Sequence, residues 1–262
     1  MYEFSYHKPS SVADAAQAMG SADDPKILAG GQTLLPTMKQ RLASPTDVIS
    51  LRGCRDLVGI SSDGSTVTIG AMTTHAAVAN SADVQKAIPA LAALAGNIGD
   101  AQVRNRGTIG GSLANNDPAA DYPAAALALG ATIVTTKREL SADSFFTGMF
   151  ETALEEDEII TSIRFPVPQA AAYAKFDNPA SRYALVGVFY AKTSDGPRVA
   201  ITGAGQGGVF RSTEIEDQIA AGKTPDSSSI NEGDLNADIH ASAAYRKHLI
   251  GVMAKRAVAA AG

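Results

Sequence analysis

Apolar positions along the chain recur with two different periods, and the switches between them outline the elements. Between Ser11 and Met19, the residues Val12, Ala15, Ala16 and Met19 share one helical face. Lys26 to Ala29 reads as a short strand running into Gly30-Gly31. A second helix follows, with Leu34, Leu35, Met38 and Leu42 as its apolar face. Pro36 suits its first turn, where a missing N–H costs little. Asp47 to Leu51 reads as a strand and closes a strand–turn–helix–strand unit too small to be a domain.

Thr66 to Ala71 reads as a strand. A helical stretch begins near Thr74, breaks at Pro89 and resumes through Leu91, Leu94 and Ala95. Residues 99–121 are polar and Gly-rich and follow neither period, so they read as one long loop, a length that points to function. Tyr122 to Leu129 reads as helix, Thr132 to Thr136 as strand, Ser144 to Thr152 as a Phe-rich turn and Glu158 to Phe165 as strand. Pro166-Val167-Pro168 and the small residues after it mark a boundary near 170. Beyond it, Ala172–Phe176, Tyr183–Lys192 and Arg198–Thr202 read as strands. Thr213–Ala221 and Ala241–Ala260 read as amphipathic helices.

Composition narrows the function classes. Of the 262 residues, 45% are apolar and 19% charged, which is globular composition. A net charge of -5 and the lack of any basic stripe argue against general nucleic-acid binding. No stretch approaches the roughly 20 apolar residues of a membrane span, and MYEFSYHKPSS lacks a secretory pattern, so a cytoplasmic location is expected. The single cysteine, Cys54, excludes a disulfide scaffold, a cysteine-built zinc site and an iron–sulfur cluster on this chain. Cys54 itself reads as a small apolar residue. His7, His75, His240 and His248 lack metal-ligand spacing and read as surface or capping residues, so no metal is expected here.

Two Gly-rich segments carry candidate chemistry. In Ala29-Gly30-Gly31-Gln32-Thr33, paired glycines let main-chain N–H groups approach a bound group closely, and the following helix start adds more donors. A tightly packed helix start is the plainer alternative. The second segment is Gly107-Thr108-Ile109-Gly110-Gly111-Ser112-Leu113-Ala114-Asn115-Asn116-Asp117. Its backbone, hydroxyls and amides suit a phosphorylated ligand. Asp121 beyond it is placed either to take ligand hydroxyls or to cap the helix at Tyr122. Gly203 to Gly208 satisfies G-x-G-x-x-G, but no helix opens within it and no parallel strand follows, so it reads as a strand-end turn.

Several long segments together resemble one family. AGGQTLLPTMKQRL (29–42) and QVRNRGTIGGSLANNDPAADYP (102–123) look like the two FAD-binding signatures of the medium subunits of molybdenum hydroxylases, the xanthine dehydrogenase/carbon monoxide dehydrogenase family. FFTGMFETAL-EEDEIITSIRFP (145–166) and AKFDNPASRYALVGV (174–188) follow in the order that family shows. The resemblance implies an α+β fold: a vanillyl-alcohol oxidase/MurB-like FAD-binding domain of two α+β subdomains, then a three-stranded antiparallel sheet with helices. The implied domains are 1–170, with subdomains of about 1–55 and 56–170, and 171–262. It also implies site roles. Lys26, Ile27, Leu28, Ala29, Gly30, Gly31, Gln32, Thr33 and Leu34 would wrap the FAD pyrophosphate and adjoining parts. Gly107, Thr108, Ile109, Gly110, Gly111, Ser112 and Ala114 would form a second clamp, with Asp117 at its end. Asp121 would bind a cofactor hydroxyl and Ile160 would pack against the adenine side. Lys175 and Tyr183 would reach the isoalloxazine. Thr33 stands where Ser is usual and Arg182 where the neighbour of the Tyr is commonly acidic.

The function so implied is electron transfer. FAD on this chain would accept electrons from [2Fe–2S] clusters of a small subunit and pass them to an external acceptor, while a large subunit oxidises substrate at a molybdenum cofactor. A heterotrimer or its dimer is expected, with no catalytic acid–base set on this chain. A self-sufficient flavin oxidase or reductase on the same fold, and a non-enzymatic nucleotide-binding or assembly module, are the rival readings.

Overall fold

The computed structural model describes all 262 residues. The first unit runs β1 (Ser5–His7), α1 (Val12–Gly20), β2 (Pro25–Leu28), α2 (Leu34–Lys39) and β3 (Asp47–Ser50). Its three strands are parallel in the order β1-β3-β2. Ser11 caps α1 by accepting from the Asp14 N–H, and Ala15 and Met19 pack with Ile49, Leu51 and Cys54. In α2 only Met38 is buried, and Leu42 lies beyond the helix, 76% exposed. The apolar face expected of that helix is therefore mostly unburied.

The second unit begins with β4 (Ile60–Ser62) and β5 (Thr66–Gly70), then α3 (His75–Asn80), α4 (Ala82–Ala87) and α5 (Pro89–Gly96). Thr74 and Ser81 cap α3 and α4, which divides the single helical stretch expected there. Next come α6 (Ala101–Arg104), α7 (Ile109–Asn115), α8 (Tyr122–Ala128), β6 (Thr132–Thr135), β7 (Glu139–Ser141) and α9 (Ala142–Phe145). β8 (Phe146–Gly148) and β9 (Glu151–Thr152) pair as a small hairpin, and β10 (Ile160–Pro166) completes the unit. β4-β5-β10-β6-β7 form an antiparallel sheet.

Residues 99–121 are thus not one irregular loop. α7 escapes the periodicity reading because Gly110 sits where larger residues would not fit: a Cβ there would lie 2.6 Å from the Ala71 Cβ. Thr108 caps the helix, accepting from the Gly111 N–H. Cap and close packing outweigh the poor helix propensity of glycine.

The last unit is an antiparallel sheet, β11 (Ala170–Asp177), β12 (Ala184–Thr193), β13 (Gly196–Thr202) and β14 (Phe210–Arg211), followed by α10 (Thr213–Ala220) and α11 (Ala243–Ala260). The short β14 adds a fourth strand to the three expected. Its two faces serve different cores. Phe189, Ala191 and Ala200 join the main core with α5, α8 and β10, while Val186, Val188, Val199 and Ile201 pack with Leu249, Ile250 and Met253 of α11. Gly203 to Gly208 turns at the end of β13, with Gly203 at φ +82, a conformation that glycine adopts freely. No helix is long and apolar enough to cross a membrane.

Candidate functional site

The two Gly-rich segments meet. A Cβ on Gly30 would lie 2.3 Å from the Arg106 carbonyl oxygen, and one on Gly111 would lie 3.4 Å from the Ala29 Cβ and 2.9 Å from Thr108 Oγ1. Any larger residue at 30 would push the backbones apart. A cleft of about 720 Å³ opens along this junction, within the range of small-molecule sites. It is lined on one side by Lys26, Ile27 and Ala29–Leu34, and on the other by Gly107, Thr108, Gly111, Ser112, Ala114, Asn115 and Asp117. Asp121 and the Ser181–Tyr183 turn close its remaining side.

The first segment is rich in free donors. The main-chain N–H groups of Ala29, Gly30, Gly31, Gln32, Thr33 and Leu34 donate to no backbone carbonyl and to no side chain. Gln32 instead turns its amide back to the Gly30 carbonyl at 3.1 Å. Such a run of N–H groups facing a cleft is a cradle for negatively charged oxygens. The second segment differs from expectation. The N–H groups of Gly107, Ile109, Gly110 and Ser112 are spent on Val103, Thr73, Ala71 and Thr108 carbonyls, and that of Gly111 on Thr108 Oγ1. Of Gly107 to Ser112, only the Thr108 N–H is left without an acceptor. This segment offers glycine surface and the Ser112 hydroxyl more than backbone donors.

Asp121 makes no cap bond to α8. It is 5% exposed, accepts from the Tyr173 hydroxyl at 2.5 Å, and lies 3.2 Å from the Lys175 ammonium. Burial pushes its carboxyl up, and Lys175 opposes that. Lys175 is itself buried, with Asp177 at 3.3 Å and the Asn97 carbonyl at 3.5 Å. Lys175 therefore stands behind Asp121 rather than on the cleft wall. Tyr173 reaches Asp121 because Gly187 on β12 leaves room: a Cβ there would lie 2.3 Å from the hydroxyl.

Four further expected residues lie off the cleft wall. Leu28, Ile109 and Gly110 do not line it, and Ile109 and Gly110 are buried, with Gly110 packed on Ala71 at the end of β5. Ile160 is 5% exposed in β10 and packs in the main core, so its side chain does not reach the cleft. Other lining residues had no signal: Thr37, Ile98, Gly99, Val103, Ala120 and Ser181 are ordinary in type. Arg182, already noted as a departure from the family pattern, also stands apart in its backbone, with a φ of +62 that is unusual for an arginine. Its guanidinium donates to the Gly99 carbonyl at 3.4 Å, linking the β11–β12 turn to the opposite side.

His75 corrects the sequence reading most sharply. It is neither a surface residue nor a side-chain cap, but is 5% exposed at the cleft base. Burial, and then the nearby Arg104 charge, lower its pKa to about 4. His7 bonds Asp47 at 2.6 Å in the small sheet and does not line the cleft. No group of three or more His, Cys, Asp or Glu side chains gathers to hold a metal.

A donor-rich backbone run facing glycine surface across one cleft is the kind of site that suits a phosphorylated nucleotide cofactor. Residues 2–168 match the family described as the FAD binding domain in molybdopterin dehydrogenase. The chain belongs to that family and is an oxidoreductase subunit of the medium, FAD-bearing kind. It is 36% identical to the nicotine 6-hydroxylase medium subunit of Paenarthrobacter nicotinovorans, over 98% of this chain and 96% of that one. Against the carbon monoxide dehydrogenase medium chain of Hydrogenophaga pseudoflava it is also 36% identical, with the same coverage. The solved structure of reconstituted CO dehydrogenase from Oligotropha carboxidovorans contains a chain that superposes with a TM-score of 0.89 at 33% identity, covering 99% of this chain and 98% of that one. Quinoline 2-oxidoreductase from Pseudomonas putida 86 matches with a TM-score of 0.88 at 28% identity, covering 99% and 97%.

Proposed function

We propose that this chain is the flavin-bearing relay of a molybdenum hydroxylase assembled from three kinds of subunit. A large subunit would hold the molybdenum cofactor and a small one the [2Fe–2S] clusters. Bound FAD supplies the redox chemistry, since it can take electrons singly from clusters and release two to an acceptor. The residues of this chain bind and orient it. The observation that carries the reading is the free N–H run from Ala29 to Leu34 facing Gly107–Ser112 across one cleft. Lys26 and the run it begins would hold the pyrophosphate side, and Ser112 would add a hydroxyl. Asp121, held by Tyr173 and Lys175, would take a hydroxyl or ring N–H of the cofactor. Tyr183, 47% exposed at the mouth, would shield the flavin end from water.

Cys54 is buried and alone, which leaves the clusters to another polypeptide. The relatives support the same division of labour, since several are named as medium chains or FAD subunits of dehydrogenases. Purification of the native complex tests the proposal. FAD on this chain, with one molybdenum and one iron–sulfur partner subunit, is the expected result. Substrate turnover by the isolated chain alone would instead favour a self-sufficient flavin enzyme.

A further inference from the structure

His75 is a buried titratable residue that the binding scheme above leaves without a role. It opens α3, and its main-chain N–H donates to the Gly107 carbonyl at 3.0 Å. Its ring lies directly beneath Gly107: a Cβ at 107 would sit 2.5 Å from Nε2 and 2.9 Å from Cδ2. Residue 107 is thus glycine because the imidazole occupies that space. On its other side the ring meets Tyr122, with centroids 5.3 Å apart and planes tilted by 49°.

The two ring nitrogens are not equivalent. Nδ1 is fully enclosed and has no hydrogen-bond partner. Nε2 also bonds nothing in the chain, yet it is not enclosed, and the residue lines the cleft. A buried N–H without an acceptor is rarer and more costly than an under-used lone pair. The favoured neutral tautomer therefore leaves Nδ1 bare and puts the proton on Nε2, where the cleft reaches it. The neutral form is the one that burial and Arg104 favour.

We propose that His75 is a cofactor-positioning contact, donating its Nε2–H to an acceptor oxygen of the bound dinucleotide beside Gly107. This rests on the FAD reading above. It supplies a donor where the second segment is poor in them, since its own backbone N–H groups are mostly spent within the fold. The donor is rigid, because Gly107, Tyr122 and the α3 backbone fix the ring on three sides. A neutral donor also adds no positive charge beside Arg104.

The test uses the full 262-residue chain, stripped of cofactor and titrated with FAD, with 15N-labelled histidine followed by NMR. His75 should show Nε2 protonated and Nδ1 bare before FAD is added, and its Nε2–H resonance should shift on binding. His75→Phe keeps an aromatic ring, somewhat larger than imidazole, and removes the donor. It should weaken FAD about ten- to a hundredfold, as expected for a hydrogen bond to a charged group. His75→Gln restores a donor and should recover much of that loss. The melting midpoint of the cofactor-free His75→Phe chain reads how well the larger ring is accommodated, and a loss of FAD affinity that His75→Gln does not recover, with both midpoints lowered alike, would assign His75 a packing role only and overturn the proposal. Equal loss in both variants, unchanged FAD affinity in His75→Phe, or a proton on Nδ1 would each overturn the proposal. If either variant fails to fold, the spectrum of the wild-type chain decides alone. FAD binding with the His75 resonances unmoved sinks this inference and spares the FAD reading. A wild-type chain that takes up no FAD sinks both.

Discussion

At the scale of single residues, the site depends on what glycine leaves out. Gly111 faces Ala29 across the junction, with Thr108 Oγ1 beside it. Gly111→Asp adds bulk and negative charge at that point, and the expected outcome is loss of the oxidised-flavin absorption from the purified chain. Full FAD occupancy would show that this wall does not face the cofactor. The Lys175–Asp121 pair has a different sensitivity. Both groups are almost wholly buried. Lys175→Met would leave a buried carboxylate without its cation, costing about 3–5 kcal/mol by the usual measure of broken buried pairs. Denaturant unfolding of the cofactor-free chain reads this directly, and a loss under about 1 kcal/mol would mean water already reaches Asp121.

Among the elements, the link between the β6–β7 turn and the loop before β10 carries a pH signature. Glu158 is buried, which pushes its carboxyl up. Bonds from the Arg138 guanidinium, the Thr135 hydroxyl and the Glu155 N–H more than reverse this, taking it from 4.5 to about 2. Between those two values the unfolded chain binds a proton that the folded chain does not, so stability falls as pH drops through that window. Glu158→Gln should flatten that part of the acid-unfolding profile and cost about 1–3 kcal/mol at neutral pH. A profile of unchanged slope would place Glu158 outside the acid transition.

The elements also show what the sequence discloses and what it hides. Helices with a Ser cap and a periodic face, such as α1 and α10, are legible, as are the long strands β12 and β13. α7 is hidden because its glycines answer to Ala71 and Ala29, contacts some 40 to 80 residues distant that no local period records. The site divides similarly. The Gly-rich segments announce themselves, whereas His75 reads as ordinary because its burial comes from Gly107 and Tyr122. The sequence expectation of abundant backbone donors fits residues 29–34 but not 107–112, where tertiary hydrogen bonds consume them.

For the whole molecule, the boundary expected from sequence near residue 170 does not divide the core. Phe189, Ala191 and Ala200, all beyond that boundary, are fully buried among residues before it. A fragment ending at residue 170 would expose the apolar surface they cover. We expect it to elute as aggregate in size-exclusion chromatography, while the full chain elutes as a discrete species. A monodisperse, FAD-binding fragment would show that the first part folds unaided. Arg198 reinforces the join, donating to the Leu127 carbonyl at 2.6 Å and to Asp143 at 2.8 Å. The cleft is itself assembled from residues near 30, near 110 and near 182, with Asp121 braced by Tyr173 and Lys175 from β11. Distant segments of this kind come together late, after the cost of closing the intervening chain has been met. The order of biogenesis follows. No stretch shorter than residues 26–183 holds the whole cleft lining, so a growing chain cannot present the complete cofactor site until its last sheet has begun to form.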